Sequence, residues 1–429
     1  MGGVGIVRIS GPRAVAIGAA LLGCEPRALD RTVRVGWVRA RSGPHAGEPI
    51  DQVLAFAMRA PASFTGEDVV ELQGHGGPHN LAALLAAVVA CGARVAEPGE
   101  FTRRAVAHGK LDLTRAEALL GVIHAGSERA WRLAQHNLAG RLGAEAERIE
   151  RRALAALAEL EGGIDFPEAD LDARATAWME GELEACRAAC AVLAAGFAHG
   201  RATTAGVVVA LVGAVNAGKS SLLNALVGSE RALVADAPGT TRDWLEVPVT
   251  WNGVAVTLVD TAGLRETADA VEQRGIALGA ARVASADVVL VIEDGTAPAI
   301  DVAPHGGRAL RVRSKVDLAP SPASPEVIAT SAVTGAGLDA LRARVLALAG
   351  VGESEGSEHA VVTTARQHAL VESARDAFAA ALQAWQGSRP PELVAVDLRA
   401  AVAALAQLRG LEVGERVLDE LFARFCIGK

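Results

Sequence analysis

Along residues 1–105 apolar positions come in short alternating runs broken by glycine and proline. GVGIVRIS and TVRVGWVRA alternate with period two and predict strands, and DQVLAFAMRAPAS predicts a third that ends at a proline. PHNLAALLAAVVACGARV predicts a helix followed by a strand, so the segment reads as α+β. From about Thr114 to Thr203 the apolar spacing becomes three and four, mixed with arginine and glutamate, which predicts amphipathic helices interrupted at IDFPEADLD. At Gly206 the pattern changes again. VVVALVG is a continuous β-branched run suited to a strand buried on both faces, and strands and helices then alternate to about Gly350. GVGESEGSEH reads as a linker, after which ARQHALVESARDAFAAALQAW and LVAVDLRAAVAALAQL return to helix. The simplest architecture is multidomain. An α+β N-terminal domain (1–105) precedes an α-helical domain in two parts (106–204 and 351–429), into which an α/β domain (205–350) is inserted.

Composition narrows the function. A chain of 429 residues is too long for a single core. Aromatic residues make up 3% and tyrosine is absent, which weakens any reading as a base-stacking platform. The net charge of −8 opposes a broad basic surface, so any RNA contact has to be local or shared with a partner. The five cysteines form no C-x-x-C pair. Cys186 and Cys190 share a helical face without nearby histidines, which favours buried thiols over zinc. Free thiols fit a reducing compartment, and Leu81–Ala93 is too short to cross a bilayer, so a soluble, cytoplasmic protein is expected.

The sharpest chemistry is GAVNAGKSS, Gly213–Ser221, which fits G-x-x-x-x-G-K-S between a predicted strand and a predicted helix. Backbone N–H groups of Asn216, Ala217, Gly218 and Ser221 are suited to phosphate oxygens, Lys219 to the β- and γ-phosphates, and the Ser220 hydroxyl to Mg²⁺. Downstream, VTLVDTAGLRE supplies Asp260 near Mg²⁺ and the Gly263 N–H for the γ-phosphate. PGTTRD supplies Thr240 and Thr241, with Thr241 expected over Mg²⁺. RSKVD carries Lys315 and Asp317 where GTPases read guanine with N-K-x-D, and Ser331-Ala332 follows for the guanine O6. The order of these motifs is that of GTPases rather than ATPases. Ser314 replaces the usual asparagine, and the expectation is a lost brace costing about 1 kcal/mol in GTP affinity, with guanine preference kept. Leu264 stands where Ras-like proteins place a water-positioning glutamine. Glu272, acting through a water, and the nearer Glu266 are the candidates to replace it, and either also reads as a solvated carboxylate. No arginine finger is evident. Asn216 reads either as a ligand for a monovalent cation beside the phosphates or as a residue that stabilises the loop turn.

Together GVGIVRISG, SFTGEDVVELQGHGGP, PGEFTRRA, GKLDLTRAEA, IDFPE, NAGKSSLLNAL, GTTRD, DTAGLRE and terminal FCIGK resemble the MnmE (TrmE) family of tRNA-modification GTPases, in family order over nearly the whole chain. The resemblance implies a potassium-activated GTPase domain that dimerises across its nucleotide face, with Asn216, Ala235, Ala237 and Thr240 around K⁺ and Glu272 orienting water. It implies an N-terminal domain that binds a formyl-tetrahydrofolate-like donor at Arg8, Glu71, Lys110 and Lys429 and holds a homodimer together. It also implies a partner, the flavoprotein MnmG, with which an aminomethyl or carboxymethylaminomethyl group is added to C5 of the wobble uridine of tRNA. The tail would then reach into the central active-site region, with Cys426 a nucleophile or thiol participant activated by a nearby lysine, or a packing thiol. Arg8 and Lys110 equally read as surface cations and Glu71 as an exposed strand residue. His75 and His79 suit a turn and a helix start better than a metal. Two departures stand out. The family carries about ten to fifteen further residues before GGVGIVRISG, so a missing strand and partial folate pocket, or a start further upstream, are expected. RGLEVGERVLDELFARFCIGK lacks the I-T-G-E stretch, which leaves docking of the last helix open. The alternatives are a potassium-activated GTPase of ribosome assembly, a one-carbon transferase with an inactive GTPase domain, and a regulatory GTP switch. The acidic balance opposes the first, the intact Lys219, Ser220, Thr241, Asp260 and Asp317 oppose the second, and potassium-dependent turnover would separate out the third.

Overall fold

The structure, a computed structural model, describes residues 2–165, 173–214, 216–228, 245–260, 284–297, 308–319, 327–352, 360–411 and 413–425. It divides into two compact units, each treated on its own. One holds the described residues of Met1–Leu120 and Arg409–Lys429, and the other is Gly121–Leu408.

The first unit is α+β. Its elements are β1 (Val4–Ser10), α1 (Ala14–Leu22), β2 (Arg34–Arg39), β3 (Pro49–Met58), β4 (Val69–His75), α2 (Pro78–Ala90) and α3 (Glu100–Ala107). The strands form one antiparallel sheet in the order β1-β4-β3-β2. Alternation decides the faces. Ile9, Val38, Val53 and Leu72 point inward and pack with Val15 and Ile17 of α1 and Leu84 and Val88 of α2. Arg8 and Glu71 sit directly opposite each other on the other face. The strand expected after α2 does not form: residues 93–97 join no ladder. Gly92 turns the chain at φ 96°, and Pro98 removes a backbone donor just before α3 begins, so too few residues remain to pair. The last helix, Glu415–Phe422, packs within this unit. Phe422 and Phe425 join Leu113 and Ala116 in a small core, and Arg103 reaches Asp419 at 2.8 Å. Compactness therefore draws its lines away from the composition-based boundary at 105/106, which falls inside α3.

The second unit joins helices to an α/β sheet. α4 (Leu113–His124) begins in the first unit and ends in the second, where α5 (Glu128–Leu138), α6 (Arg141–Asp165), α7 (Ala173–Ala195) and α8 (Phe197–Ala205) follow. α6 and α7, with helices Ala365–Gln386 and Pro391–Arg409, enclose a core of Ile149, Leu160, Leu183, Phe378, Leu398 and Leu405. Cys186 and Cys190 lie in this core, where burial pushes their thiols up to about 11 and about 12, as expected of packing residues. From α8 the chain enters β5 (Val207–Gly213), α9 (Lys219–Val227), β6 (Leu245–Trp251), β7 (Val254–Asp260), β8 (Val288–Asp294), β9 (Arg308–Ser314) and β10 (Val327–Ala329). The sheet order is β10-β9-β8-β5-β7-β6, parallel except for β6. β5 is central and flanked by parallel neighbours, as its uninterrupted β-branched sequence requires. No described helix is long and apolar enough to cross a membrane.

Candidate functional site

The phosphate loop follows β5 and opens α9. Gly213 sits at φ 156°, and a Cβ there would lie 2.3 Å from the Ile292 carbonyl oxygen, so only glycine lets the loop leave the sheet at this point. Gly218, at φ 92°, starts α9, whose first residue is Lys219. The Lys219 ammonium is buried and donates to the carbonyls of Gly213 at 2.7 Å and Ala214 at 2.8 Å. It is thus already folded back over the loop. Ser220 and Ser221 are exposed in the first turn of α9, where N–H groups and the helix dipole favour an anion. Asn216 adopts a left-handed conformation at φ 65°. Asp260 ends β7 in register with Leu211 of β5, on the same sheet edge.

The base-reading segment lies on the other side of the loop. Ser314 ends β9, and its buried hydroxyl lies 2.6 Å from the Ala217 carbonyl and 3.0 Å from that of Glu293. The brace on the phosphate loop, expected to be lost with the asparagine, is therefore kept, because β9 brings even a short side chain against the loop. Lys315 donates to the Asn216 carbonyl at 2.8 Å and to Asp294 at 2.6 Å. Asp294 was not a sequence candidate. One of its oxygens holds Lys315 while the other accepts from the Thr296 N–H and hydroxyl, and these bonds bring its carboxyl down to about 2. The signal was its place at the end of β8, opposite Ser314 in the ladder. Asp317 is exposed. Ser331 is buried and turns its own loop by accepting N–H bonds from Val333 and Thr334, with Ala332 between Ser331 and Val333 in sequence. One sheet edge thus gathers Asn216–Ser221, Asp260, Ser314, Lys315, Asp317, Ser331 and Ala332. Ala235, Ala237, Thr240, Thr241, Gly263, Leu264, Glu266, Glu272, Cys426 and Lys429 lie outside the described residues.

A second cluster occupies the N-terminal unit. Arg8 and Glu71 form an ion pair at 2.8 Å, Gln73 donates to Glu71 at 3.1 Å, and the Arg8 guanidinium stands over the rings of Phe64 and Phe101. Lys110 donates to the Pro61 carbonyl at 3.0 Å, on the loop whose Thr65 lies 2.7 Å from Ser10. Sequence reasoning missed the network next to it, in which Arg104 bridges Glu67 and Glu100 and Arg94 shares Glu100. Hydrogen bonds from Arg94, opposed by burial and reinforced by Arg104, bring the Glu100 carboxyl to about 2. All four residues sat within or beside SFTGED and PGEFTRRA, motifs that mark the family without marking roles. A cavity of about 450 Å³ opens beside Arg8, Arg104 and Phe101. His75 binds Asp51 at 2.8 Å beside Asn80, a turn role, and the described residues hold no group of three metal-ligating side chains.

Comparison with known proteins settles the family. A domain described as the MnmE helical domain matches residues 113–426, and one described as the GTP-binding protein TrmE N-terminus matches residues 1–110. The chain belongs to the MnmE family of tRNA modification GTPases. Relatives of that name from Nitratidesulfovibrio vulgaris and Thermus thermophilus are 42% and 43% identical over 100% of this chain and 96% of their own length. The one from Symbiobacterium thermophilum is 41% identical, over 97% of its length. Among solved structures, the G domain of the T. maritima FeoB iron transporter aligns with 33% of this chain and 98% of its own at 28% identity, with a TM-score of 0.25. As an MnmE-family member the chain is a GTP hydrolase of tRNA modification, and the phosphate-loop edge of its sheet is where its nucleotide motifs meet.

Proposed function

We propose that the chain is a potassium-activated GTPase that works in the cytoplasm as a homodimer with the flavoprotein MnmG. The pair installs an aminomethyl or carboxymethylaminomethyl group on C5 of the wobble uridine of tRNA, drawing carbon from a tetrahydrofolate derivative. The observation that carries the reading is the convergence on one sheet edge of a buried, loop-folded Lys219 with the guanine segment Lys315–Asp317. In this reading Lys219, the loop N–H groups of Asn216–Ser221 and the Gly263 N–H hold the triphosphate. Asp317, Lys315, Ser331 and Ala332 hold the base. Ser220 and Thr241, with Asp260 behind them, would hold Mg²⁺, which neutralises phosphate charge. Asn216, Ala235, Ala237 and Thr240 would hold K⁺, which supplies the positive charge of an absent arginine finger. Glu272, acting through a water, orients the attacking water as the bond between the γ-phosphate and the β-phosphate oxygen breaks.

In the N-terminal unit, Arg8, Glu71, Lys110 and Lys429 form the one-carbon folate site, and Cys426 serves as a nucleophile or thiol participant. The apolar sheet face around that site is the homodimer interface. The composition-based division at residues 105, 204 and 350 is the proposed domain plan.

The test is to express the chain in a bacterium lacking its own MnmE and quantify modified wobble uridine in tRNA by nucleoside mass spectrometry. Restored modification is expected from the intact chain and not from Lys219→Ala. Purified protein should hydrolyse GTP faster in K⁺ than in Na⁺. Equal rates in the two salts would remove potassium from the mechanism. Absent modification with soluble protein present would overturn the tRNA assignment.

A further inference from the structure

Position 314 has a consequence for how the base is read. We infer that this chain recognises guanine through its N1, N2 and O6 edge and leaves N7 unread, with Ser314 as the determinant. The inference rests on the guanine-nucleotide reading of the site. A hydroxyl carries one proton. The Ser314 hydroxyl has two carbonyl acceptors within reach, Ala217 at 2.6 Å and Glu293 at 3.0 Å, and it is only 5% exposed. Its proton is used inside the protein, tying β9 to the phosphate loop. Purine N7 is an acceptor and needs a donor, and the remaining lone pairs on the Ser314 oxygen cannot supply one. An amide at this position has two N–H donors, one for the Ala217 carbonyl and one to spare for the base.

The neighbouring groups do not fill the gap. The Lys315 ammonium is pinned between Asp294 and the Asn216 carbonyl. Asp317 is exposed and has only acceptor oxygens, which match the N1–H and N2–H donors of guanine. Among the described residues, neither Ser314 nor Asp317 offers N7 a donor, and Lys315 is held toward Asp294 and the phosphate loop. Packing supports the same division of labour: a Cβ on Gly218 would lie 3.3 Å from the Ser314 oxygen, so the serine fits against the loop with little room to turn outward.

The experiment measures KM and kcat of the full chain, in Mg²⁺ and K⁺, for GTP, 7-deaza-GTP, which has carbon in place of N7, and ITP, which lacks the N2 amino group. Wild type should accept 7-deaza-GTP with a KM within about twofold of that for GTP, while ITP loses about tenfold or more. Ser314→Asn should create discrimination against 7-deaza-GTP of about fivefold, one neutral hydrogen bond. A wild-type preference for GTP over 7-deaza-GTP of that size, with ITP still rejected, would overturn the inference and leave the guanine site standing. Indifference to GTP, ITP and ATP alike would overturn both. If Ser314→Asn does not fold, the wild-type comparison alone decides.

Discussion

Single residues to which the motifs assign no role set the working geometry of both sites. Lys315 is a motif residue, but its direction is fixed by Asp294, which the motif does not include. Asp294→Asn should therefore raise the KM for GTP severalfold and leave kcat nearly unchanged, because the lysine loses its anchor while the phosphate loop keeps its Ser314 brace. Steady-state kinetics check this, and a fall in kcat at constant KM would contradict it. Glu100 plays a comparable part in the N-terminal unit. Its carboxyl titrates at about 2 rather than 4.5, so its contribution is complete above pH 4.5 and fades as pH falls toward 2. Glu100→Gln should cost about 1–2 kcal/mol at neutral pH, less than a fully buried pair because Arg94 is largely solvated. Denaturant melts across pH should show the gap between wild type and variant closing in acid. A gap that persists unchanged at pH 3 would assign the loss to packing instead.

At the scale of elements, pattern and structure agree where an element carries its own periodicity. β1 and β3 follow from alternation, β5 from its continuous β-branched run, and α2 and the long bundle helices from three-to-four spacing, and GAVNAGKSS fell between strand and helix as required. What could not be read depended on partners remote in sequence. Residues 93–97 look like a strand but find no neighbour, and the last helix docks only because Phe422 and Phe425 meet Leu113 of α4 and Val106 of α3. The Ser314 brace was hidden for the same reason, since it needs the Ala217 carbonyl ninety-seven positions away. α8 gives a direct test of such a contact. Gly200 lies mid-helix, where alanine would ordinarily gain about 1 kcal/mol of propensity. A Cβ there would stand 2.1 Å from the Val362 carbonyl, and the adjacent Val361 carbonyl accepts from buried Asn137 at 2.9 Å. Backbone cannot rotate away as a side chain can, so overpacking of about 2–3 kcal/mol should win. Gly200→Ala should lower the melting temperature, and a higher one would show that the segment yields freely.

For the whole molecule, the question is what covers the second face of the N-terminal sheet. Register places Ile6, Gln73, Leu54 and Val35 in one row across all four strands, with Trp37 two residues beyond Val35. Val35 is 62% exposed, Trp37 53% and Ile6 51%, on a sheet whose other face is fully packed. Exposed Ile6, Leu54, Val35 and Trp37 on one face of an antiparallel sheet are typical of an interaction surface. A second copy suits it, because a two-fold axis sets the same row against itself without needing charge complementarity. The double substitution Trp37→Glu and Leu54→Glu removes apolar area from the exposed face and leaves the inward residues Val38 and Val53 untouched. It should convert a dimer to a monomer in sedimentation experiments while far-ultraviolet circular dichroism stays unchanged. If N-terminal dimerisation completes the one-carbon site, the same variant should lose tRNA modification and retain GTP binding, since the nucleotide motifs lie in the other unit. A wild-type chain that sediments as a monomer, or a double variant that stays dimeric, would assign this face to another partner.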